Sequence, residues 1–403
     1  MTALRDRRIL FATAFVRATT TSTLGVSLGG YLATLAIDRA ALGLVISAGL
    51  AGAALAALAA TFTADRVGRR RFLIAVTACG AAGTAGFALA SGPLALAIAG
   101  FAGMVNGMGK DRGAALILEQ AALPSTAGDA ERTRVIAVYT MLQDVGHAAG
   151  ALLAGLPVWL AERTRLGAAD AHRAVVLGCA VAALAVLVLY LALGPTIEHG
   201  RSARPALSPA SRAIITRISA LFALDGLGGG FLTTALISYF FFERFAASEA
   251  TIAALFFGAR ILNAVSHLGA AWLARRIGLV NTMVFSHIPS SLLLVTVAFA
   301  PSFAVAAVLF LLREGLVEMD VPTRQSYVLA VVRPGERTVA SGITNLVRLG
   351  AWAVAPGLAG LIMTGDRLYL PLVIGAAMKI SYDLLLWRAF RAVRPPEEAG
   401  HGA

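Results

Sequence analysis

The segment FLLREGLVEMDVPTRQSYVLAVV, residues 310–332, is strongly apolar but carries five charged side chains. They are Arg313, Glu314, Glu318, Asp320 and Arg324. Charges within a bilayer are costly, so they usually face a protein interior or a water-filled cavity, where they pair with one another. Carboxylates in such a place can carry protons, and arginines can hold anionic groups. The segment therefore predicts a polar site inside an apolar protein.

The spacing of these charges predicts how a helix would present them. Residues seven and eleven positions apart share a helix face, and Arg313, Asp320 and Arg324 follow this spacing. Glu314 and Glu318 would form a second stripe, turned by about 100°. The segment also contains a proline, which removes a backbone hydrogen bond and predicts a kink.

Other charged residues within apolar stretches are candidates for the same polar path. Arg17 precedes the run TTTST, whose hydroxyls either line the path or bond to their own helix backbone. Carboxyl groups in poorly solvated places hold their protons more tightly, so we rank Glu119, Glu318, Asp320 and then Asp144 as proton carriers. The remaining candidates are Arg112, which lies seven residues before Glu119, and Asp225, Arg260 and Arg348.

Composition defines the elements that must position these residues. The 403-residue chain is 58% hydrophobic and 14% charged, and its mean hydropathy is +0.78. Soluble proteins average about 25% charged residues, and a helix needs about 20 residues to cross a bilayer. Polar and Pro/Gly-marked breaks divide the chain into twelve such apolar stretches, the first of which we interpret as uncleaved. The sequence predicts an all-α polytopic membrane protein with 12 transmembrane helices.

The least apolar connection lies near the middle of the chain. We predict an N-terminal six-helix bundle over residues 1–193, a cytoplasmic linker over 194–211, and a C-terminal six-helix bundle with a short tail over 212–403. Of the 34 basic residues, 19 fall on the side of the N-terminus and 6 in the opposite loops. This bias predicts that both termini are cytoplasmic. It also explains most of the net charge of +12, and no basic patch suited to nucleic acid remains.

An internal repeat relates the two halves. A shift of 205 residues places ERTRVIAVYT, from Glu131, over ERTVASGITN, from Glu336. A shift of 210 places ADRVGRR, from Ala64, over ARRIGLV, from Ala274. Because the shift spans six helices, the halves have the same orientation, which predicts a parallel 6+6 repeat.

The repeat raises a hypothesis about two opposite charges. Under the 205-residue shift, Glu119 falls on Arg324. These side chains either face each other across a central cavity, or each pairs locally, Glu119 with Arg112 and Arg324 with Asp320. Both arrangements remain open from the sequence.

The loop TADRVGRRRFL, between the second and third spans, carries a recognisable motif. The form is Gly-x-x-x-Asp-Arg-x-Gly-Arg-Arg, which is matched at Asp65, Arg66, Gly68, Arg69 and Arg70. Thr61 stands where the first glycine is expected. With the twelve spans, the parallel repeat and the central linker, the whole chain resembles the major facilitator superfamily. The segments MDVPTRQSYVLAVV and GERTVASGITN are similar to a bacterial branch whose members mostly lack an assigned substrate.

This resemblance implies a fold and a mode of action. Two six-helix halves would rock in alternating access, with helices one, four, seven and ten around a central cavity and the signature loop as a cytoplasmic latch. The implied function is proton-coupled secondary transport of a small organic solute across a bacterial inner membrane by a monomer, with export favoured over uptake. The alternatives are a facilitator without proton coupling and a non-transporting membrane receptor or scaffold on the same fold.

Motifs for other chemistry have no support. GVSLG at 25–29 fits the Gly-x-Ser-x-Gly of hydrolases, but it falls in a predicted spanning helix rather than in a strand–turn–helix. No HExxH or CxxC pattern occurs in the sequence. We therefore expect no enzymatic activity, no metal and no cofactor, and we expect a small solute, protons and bilayer lipid as partners.

Overall fold

The computed structural model describes residues 2–128, 131–198 and 207–390. Within these ranges the regular structure is helical and no strand occurs. Sixteen α-helices are present in the described part: α1 Thr2–Thr34, α2 Arg39–Val67, α3 Arg69–Leu89, α4 Pro93–Gly103, α5 Ala114–Ala122, α6 Arg132–Leu153, α7 Leu156–Arg163, α8 Ala168–Leu191, α9 Pro209–Gly230, α10 Thr234–Phe245, α11 Glu249–Ile277, α12 Leu279–Ala298, α13 Phe303–Val317, α14 Asp320–Ala330, α15 Arg337–Ile362 and α16 Leu370–Phe390.

The predicted all-α membrane fold is confirmed. Ten helical stretches among the described residues are long and apolar enough to cross a membrane. They correspond to ten of the twelve predicted spans. The fourth and tenth are missing from this set because each is interrupted, so that α4, α5, α13 and α14 have 11, 9, 15 and 11 residues. The count of twelve is consistent with the structure and stays a prediction.

The chain divides into two compact units. Unit 1 comprises Met1–Ser202, Thr233–Phe257 and Pro356–Thr364. Unit 2 comprises Ala203–Leu232, Gly258–Ala355 and Gly365–Ala403. Two segments of the C-terminal half, Thr233–Phe257 and Pro356–Thr364, thus belong to unit 1, which otherwise consists of the N-terminal half. The domain boundaries around the linker at 194–211 stay a prediction.

Unit 1 is built around α1, which packs against α6, α8 and α10. Close helix packing in this unit depends on glycine. A Cβ at Gly52 of α2 would overlap the carbonyl oxygen of Phe101 on α4, and one at Gly49 would overlap that of Val105. Small residues at such points let helix backbones approach each other, as is common in membrane proteins. The short helix α4 is therefore held against α2 by backbone contact.

We expect Gly52→Val to lower the free energy of unfolding by about 1–3 kcal/mol, because α2 and α4 must separate to admit the side chain. Gly178→Val, in helix α8 of the same unit, is the matched control, since a Cβ there meets nothing within 4 Å. Denaturant titration of the purified protein in detergent would measure both. Equal stability of the two variants would contradict the close packing of α2 on α4.

Unit 2 is built around α12, which packs on α13, α14 and α16, while α9 packs on α16. The run GLGGG follows Asp225 on α9, and the helix continues through it to Gly230. A Cβ at Gly226 would come within 2.8 Å of the Ala351 side chain, and one at Gly228 within 3.1 Å of the Gly375 carbonyl. The glycines thus let α9 lie close to α15 and α16, which brings Asp225 to the charged residues of those helices.

Candidate functional site

The fourth predicted span is interrupted in the middle. Helix α4 ends where Met104 adopts a left-handed backbone conformation, with φ of 51°. Side chains form hydrogen bonds with the backbone of the interrupted segment. Asn106 donates to the Lys110 carbonyl (2.8 Å) and accepts from the Met108 N–H (2.8 Å). The N–H of Asp111 donates to His147 Nε2 at 2.9 Å. These bonds satisfy backbone groups that a continuous helix would have paired.

The tenth predicted span is interrupted at the corresponding place. Helix α13 ends at Val317 and α14 begins at Asp320. The break lies just before Pro322, where the sequence predicted a kink, and proline cannot donate to the carbonyl four residues earlier. Helices α4 and α13 also begin 210 residues apart, at Pro93 and Phe303, which is a shift found in the repeat. Interrupted helices at corresponding places in two halves are typical of binding sites in transporters.

Glu119 lies at the centre of a buried polar cluster in unit 1. Its side chain is 0% exposed. One carboxylate oxygen accepts from Arg17 Nη1 (2.5 Å), the Tyr190 hydroxyl (2.6 Å) and the Thr13 hydroxyl (2.5 Å). The other accepts from the Tyr139 hydroxyl at 2.7 Å. The local partner of Glu119 is therefore Arg17 rather than Arg112, and all four neighbours donate to the carboxylate.

Arg17 also connects this cluster to a cavity. Its Nε and Nη2 lie 3.1 and 3.0 Å from Asp111 Oδ2. A cavity of about 150 Å³ opens beside this pair, at the interruption between α4 and α5. Its walls are largely apolar, and its polar side chains belong to Arg17, Thr20, Thr21, Thr77, Thr84, Asn106 and Asp111. The cavity thus combines an ion pair with hydroxyl and amide groups.

The hydroxyls after Arg17 divide between the two expected roles. Thr19, Thr20 and Thr23 donate to carbonyls of their own helix, which was one of the alternatives. Thr20 and Thr21 also line the cavity. The sequence run alone could not separate these roles, because they depend on which side of α1 faces α3 and α4.

Asp225 is the centre of a second buried cluster, in unit 2. Its carboxylate accepts from Lys379 Nζ at 2.9 Å and from Arg348 Nη2 at 3.0 Å. Arg324 lies 3.6 Å from the same carboxylate and donates to Asp320, one turn away on α14. Arg324 thus has the local partner Asp320 that one of the alternatives foresaw, and the cluster adds Asp225 to it.

His287 and Asp383 extend this cluster and were missed by the sequence reasoning. His287 Nδ1 lies 3.0 Å from both carboxylate oxygens of Asp383, and its Nε2 lies 3.3 Å from Lys379 Nζ. His287 is 1% exposed and Asp383 is 0% exposed. Two signals were present in the sequence: Lys379 and Asp383 are four residues apart in the last apolar stretch, and Lys379 is one of two lysines beside 32 arginines.

The interruption of the tenth span changes which partners its predicted charged residues contact. Because α13 and α14 are separate helices, the expectation of one continuous charged stripe from Arg313 to Arg324 is wrong. Arg313 instead pairs with its neighbour Glu314, and Glu314 accepts from Asn263 of α11 at 2.8 Å. Arg260 is buried one turn before Asn263.

Three further candidates have half-buried side chains. Arg112 lies in the interruption before α5, so it does not share a helix face with Glu119 as expected. Glu318 lies in the interruption before α14, and Asp144 lies on α6. Their roles stay predictions.

The signature loop forms a compact set of contacts within unit 1. Gly68 has φ of 103°, a conformation that favours glycine, and it separates α2 from α3. Arg69 donates to Asp65 at 3.2 Å and to the Ala121 carbonyl at 3.3 Å. Arg70 donates to the carbonyls of Tyr190 and Leu191 at the end of α8. Arg66 is exposed. The loop therefore binds α5 and α8, and its role as a latch stays a prediction.

Two carboxylates outside the spans cap the starts of helices. Glu198 accepts from the N–H groups of Arg69 (2.8 Å) and Arg70 (3.0 Å) at the start of α3. Glu336 accepts from the N–H of Ser208 at 2.8 Å, just before α9. The hydrogen bond from the Ser211 side chain is the largest cause that lowers the pKa of Glu336; burial opposes it and the Ser208 bonds add to it. The topology predicted from the sequence places these two helix starts on the cytoplasmic side.

Comparisons with known proteins agree with this architecture. The sequence profile of the Major Facilitator Superfamily matches residues 10–356. A relative from Saccharomyces cerevisiae, described as an uncharacterized membrane protein, is 24% identical over 426 aligned positions that cover 97% of this chain and 95% of the relative.

Solved structures show the same fold. A point mutant of the nucleoside transporter NupG superposes with a TM-score of 0.75 at 16% identity, covering 97% of this chain and 100% of that one. A D-xylose-proton symporter superposes with a TM-score of 0.71 at 13% identity, covering 96% of this chain and 98% of that one. At these identities the likeness concerns the fold alone.

Proposed function

The chain belongs to the major facilitator superfamily and is a multi-pass membrane transporter of a solute, and we propose that it couples the movement of a small polar organic solute to the movement of protons. The observation that carries this proposal is the pair of interrupted helices at corresponding places in the repeat, each beside a buried cluster of charges. Such clusters are costly to maintain in a membrane protein and usually serve a solute or ion path.

The cavity in unit 1 is the proposed contact point for the solute. Its hydroxyl and amide groups can exchange hydrogen bonds with a neutral polar molecule, and the Arg17–Asp111 pair offers one donor group and one acceptor group. The surrounding walls are largely apolar, and a hydrogen bond in such surroundings is stronger than one in bulk water. A solute with several hydroxyl or amide groups on a small carbon frame suits this lining.

Direction and location rest on the family resemblance. We propose export from a bacterial cell across its inner membrane by a monomer with both termini in the cytoplasm. The excess of arginine in the loops on the side of the N-terminus supports this orientation. The well-formed signature loop, with Gly68 and its two arginines in place, supports export by analogy with other family members.

A thermal-stability screen of the detergent-purified protein against a library of small metabolites tests the solute site. A bound compound stabilises the protein by mass action, about 2.7 kcal/mol at a hundredfold excess over its Kd. We expect Thr77→Val to weaken binding of the stabilising compound by up to about tenfold, since one hydrogen bond contributes about 0.5–1.5 kcal/mol. Thr140→Val is the control, because the Thr140 hydroxyl is exposed and bonds to its own helix.

Flux in reconstituted vesicles then separates the candidate functions. A compound from the screen should cross the membrane of the vesicles, and an imposed pH gradient should drive its accumulation. Flux that persists unchanged when a protonophore collapses the gradient would show a facilitator. Binding without any flux would favour a receptor and contradict the proposal.

A further inference from the structure

Lys379 is an unusual choice of cation for this chain. The sequence contains 32 arginines and two lysines, Lys110 and Lys379. A guanidinium does not give up its proton in proteins, whereas a buried ammonium can. Lys379 is 8% exposed and stands in a cluster whose other cations are Arg324 and Arg348. The cluster therefore contains two arginines that keep their protons and one lysine that can exchange its proton.

The neighbours of Lys379 determine where its proton can go. Nζ donates to Asp225 Oδ1 at 2.9 Å and lies 3.3 Å from His287 Nε2. An ammonium has no acceptor, so Nε2 must be the acceptor of this contact. The imidazole then carries its hydrogen on Nδ1, which donates to Asp383 at 3.0 Å. These contacts form a buried chain that runs from Asp225 through Lys379 and His287 to Asp383. Every contact in the chain pairs one donor with one acceptor.

Charged and titratable groups face this chain from the helices packed around it. They are Asp225 on α9, His287 on α12, Asp320 and Arg324 on α14, Arg348 on α15, and Lys379, Tyr382 and Asp383 on α16. With a neutral imidazole, the three carboxylates on these helices balance the three cations, and Glu318, in the interruption before α14, adds a further carboxylate that acts on Arg324. The Tyr382 hydroxyl is buried beside His287 and has no hydrogen-bond partner among the described residues.

We propose that Lys379 and His287 share one proton and form a proton-transfer pair in unit 2. In the transfer, the bond between Nζ and hydrogen breaks, the electron pair remains on Nζ, and a bond forms between hydrogen and Nε2. Lys379 becomes a neutral amine and His287 becomes an imidazolium. The positive charge thereby moves from Lys379, which lies beside Asp225, to His287, which lies beside Asp383. Arg348 and Arg324 stay beside Asp225. This proposal rests on the proposed function in one respect: the exchanged proton would be the proton whose movement is coupled to transport.

The cluster around Glu119 is less suited to this task. All four of its neighbours donate to the carboxylate, and one of them is an arginine. A proton added there would compete with four existing hydrogen bonds. The Lys379–His287 contact, in contrast, joins two nitrogen bases that can each hold the proton. The ranking from sequence, which put Glu119 first, is therefore replaced in this proposal by a pair that the sequence did not single out.

Nuclear magnetic resonance of the full chain in lipid nanodiscs, with imidazole nitrogens labelled with ¹⁵N, tests the pair without any solute. The chain has six histidines, and His287→Gln identifies the signal of His287 by its loss. We expect Nδ1 to carry hydrogen and Nε2 to act as acceptor in the state with a neutral imidazole. At one fixed pH, the ¹⁵N shift of Nε2 should lie between the values of a purely accepting nitrogen and of a nitrogen that carries hydrogen, because Nε2 shares its proton with Lys379.

Lys379→Arg is the decisive variant and Lys110→Arg is its matched control. The guanidinium keeps the charge of Lys379 but cannot give up its proton, so we expect the Nε2 shift to move to the value of a purely accepting nitrogen in Lys379→Arg and to stay intermediate in Lys110→Arg. A wild-type Nε2 shift equal to that of a purely accepting nitrogen, or an intermediate shift that persists in Lys379→Arg, would overturn the proposal. The wild-type tautomer is a test that needs no variant to fold: hydrogen on Nε2 with a bare Nδ1 would overturn it as well.

This outcome is separable from the fate of the proposed function. If the metabolite screen and the flux assay fail while the Nε2 shift of His287 is intermediate and depends on Lys379, the proton pair is supported and the proposed transport of a solute is not. If flux depends on the pH gradient while Nε2 of His287 is a purely accepting nitrogen, proton coupling is supported and another group carries the proton.

Discussion

Replacing Asp225 with alanine is expected to lower the free energy of unfolding by about 3–5 kcal/mol, the cost of leaving buried charges without their partner. Asp225 is 1% exposed and accepts from both Lys379 and Arg348, with Arg324 at 3.6 Å. Without this carboxylate, three buried cations face one another. Their mutual repulsion adds to the loss of two charge-assisted hydrogen bonds.

Denaturant titration in detergent measures this effect, and Asp366→Ala provides the control. Asp366 is an exposed carboxylate of the same unit, and surface charges contribute between about 0 and 1 kcal/mol. If Asp225→Ala were as stable as Asp366→Ala, the cluster would not hold α9 to α15 and α16. Asp225→Asn separates charge from shape, because the amide keeps the size of the side chain and removes its charge.

Replacing Arg17 or Glu119 alone is expected to cost about 3–5 kcal/mol, whereas replacing both should cost less than the sum by about 1–3 kcal/mol. Each single change leaves one buried charge without its 2.5 Å partner, and the double change removes both charges. Methionine at each position preserves much of the side-chain volume. The double-mutant cycle of Arg17→Met and Glu119→Met therefore isolates the energy of the pair.

An exposed ion pair in the same unit supplies the control cycle. Arg7 and Glu131 lie 3.1 Å apart with side chains 21% and 62% exposed, so their coupling should stay below about 1 kcal/mol. Comparable coupling energies for the two cycles would show that burial does not strengthen the Arg17–Glu119 pair. Losses that add without coupling would show that Glu119 depends on Tyr139, Tyr190 and Thr13 instead.

Features that depend on local composition were predicted from the sequence. Hydropathy over about 20 residues defines a spanning helix, and the arginine bias of short loops defines its orientation. The all-helical membrane fold was confirmed, and the glycines of the two corresponding loops, Gly68 and Gly278, both adopt positive φ, with values of 103° and 84°. Pro322, for which the sequence predicted a kink, lies just after the interruption of the tenth stretch. The family followed from the same local features.

The pairing of charges, in contrast, was decided by the tertiary structure. Arg17 and Glu119 are 102 residues apart, and His287 and Asp383 are 96 residues apart. Helical spacing relates residues only within one helix, and it failed where α4 and α5, or α13 and α14, proved to be separate helices. Which charge meets which depends on how far neighbouring helices approach and rotate, and here that approach is governed by glycines that carry no charge themselves. The sequence by itself therefore determined that charges lie inside a transporter fold, and packing determined that they form one cluster around Glu119 and another around Asp225.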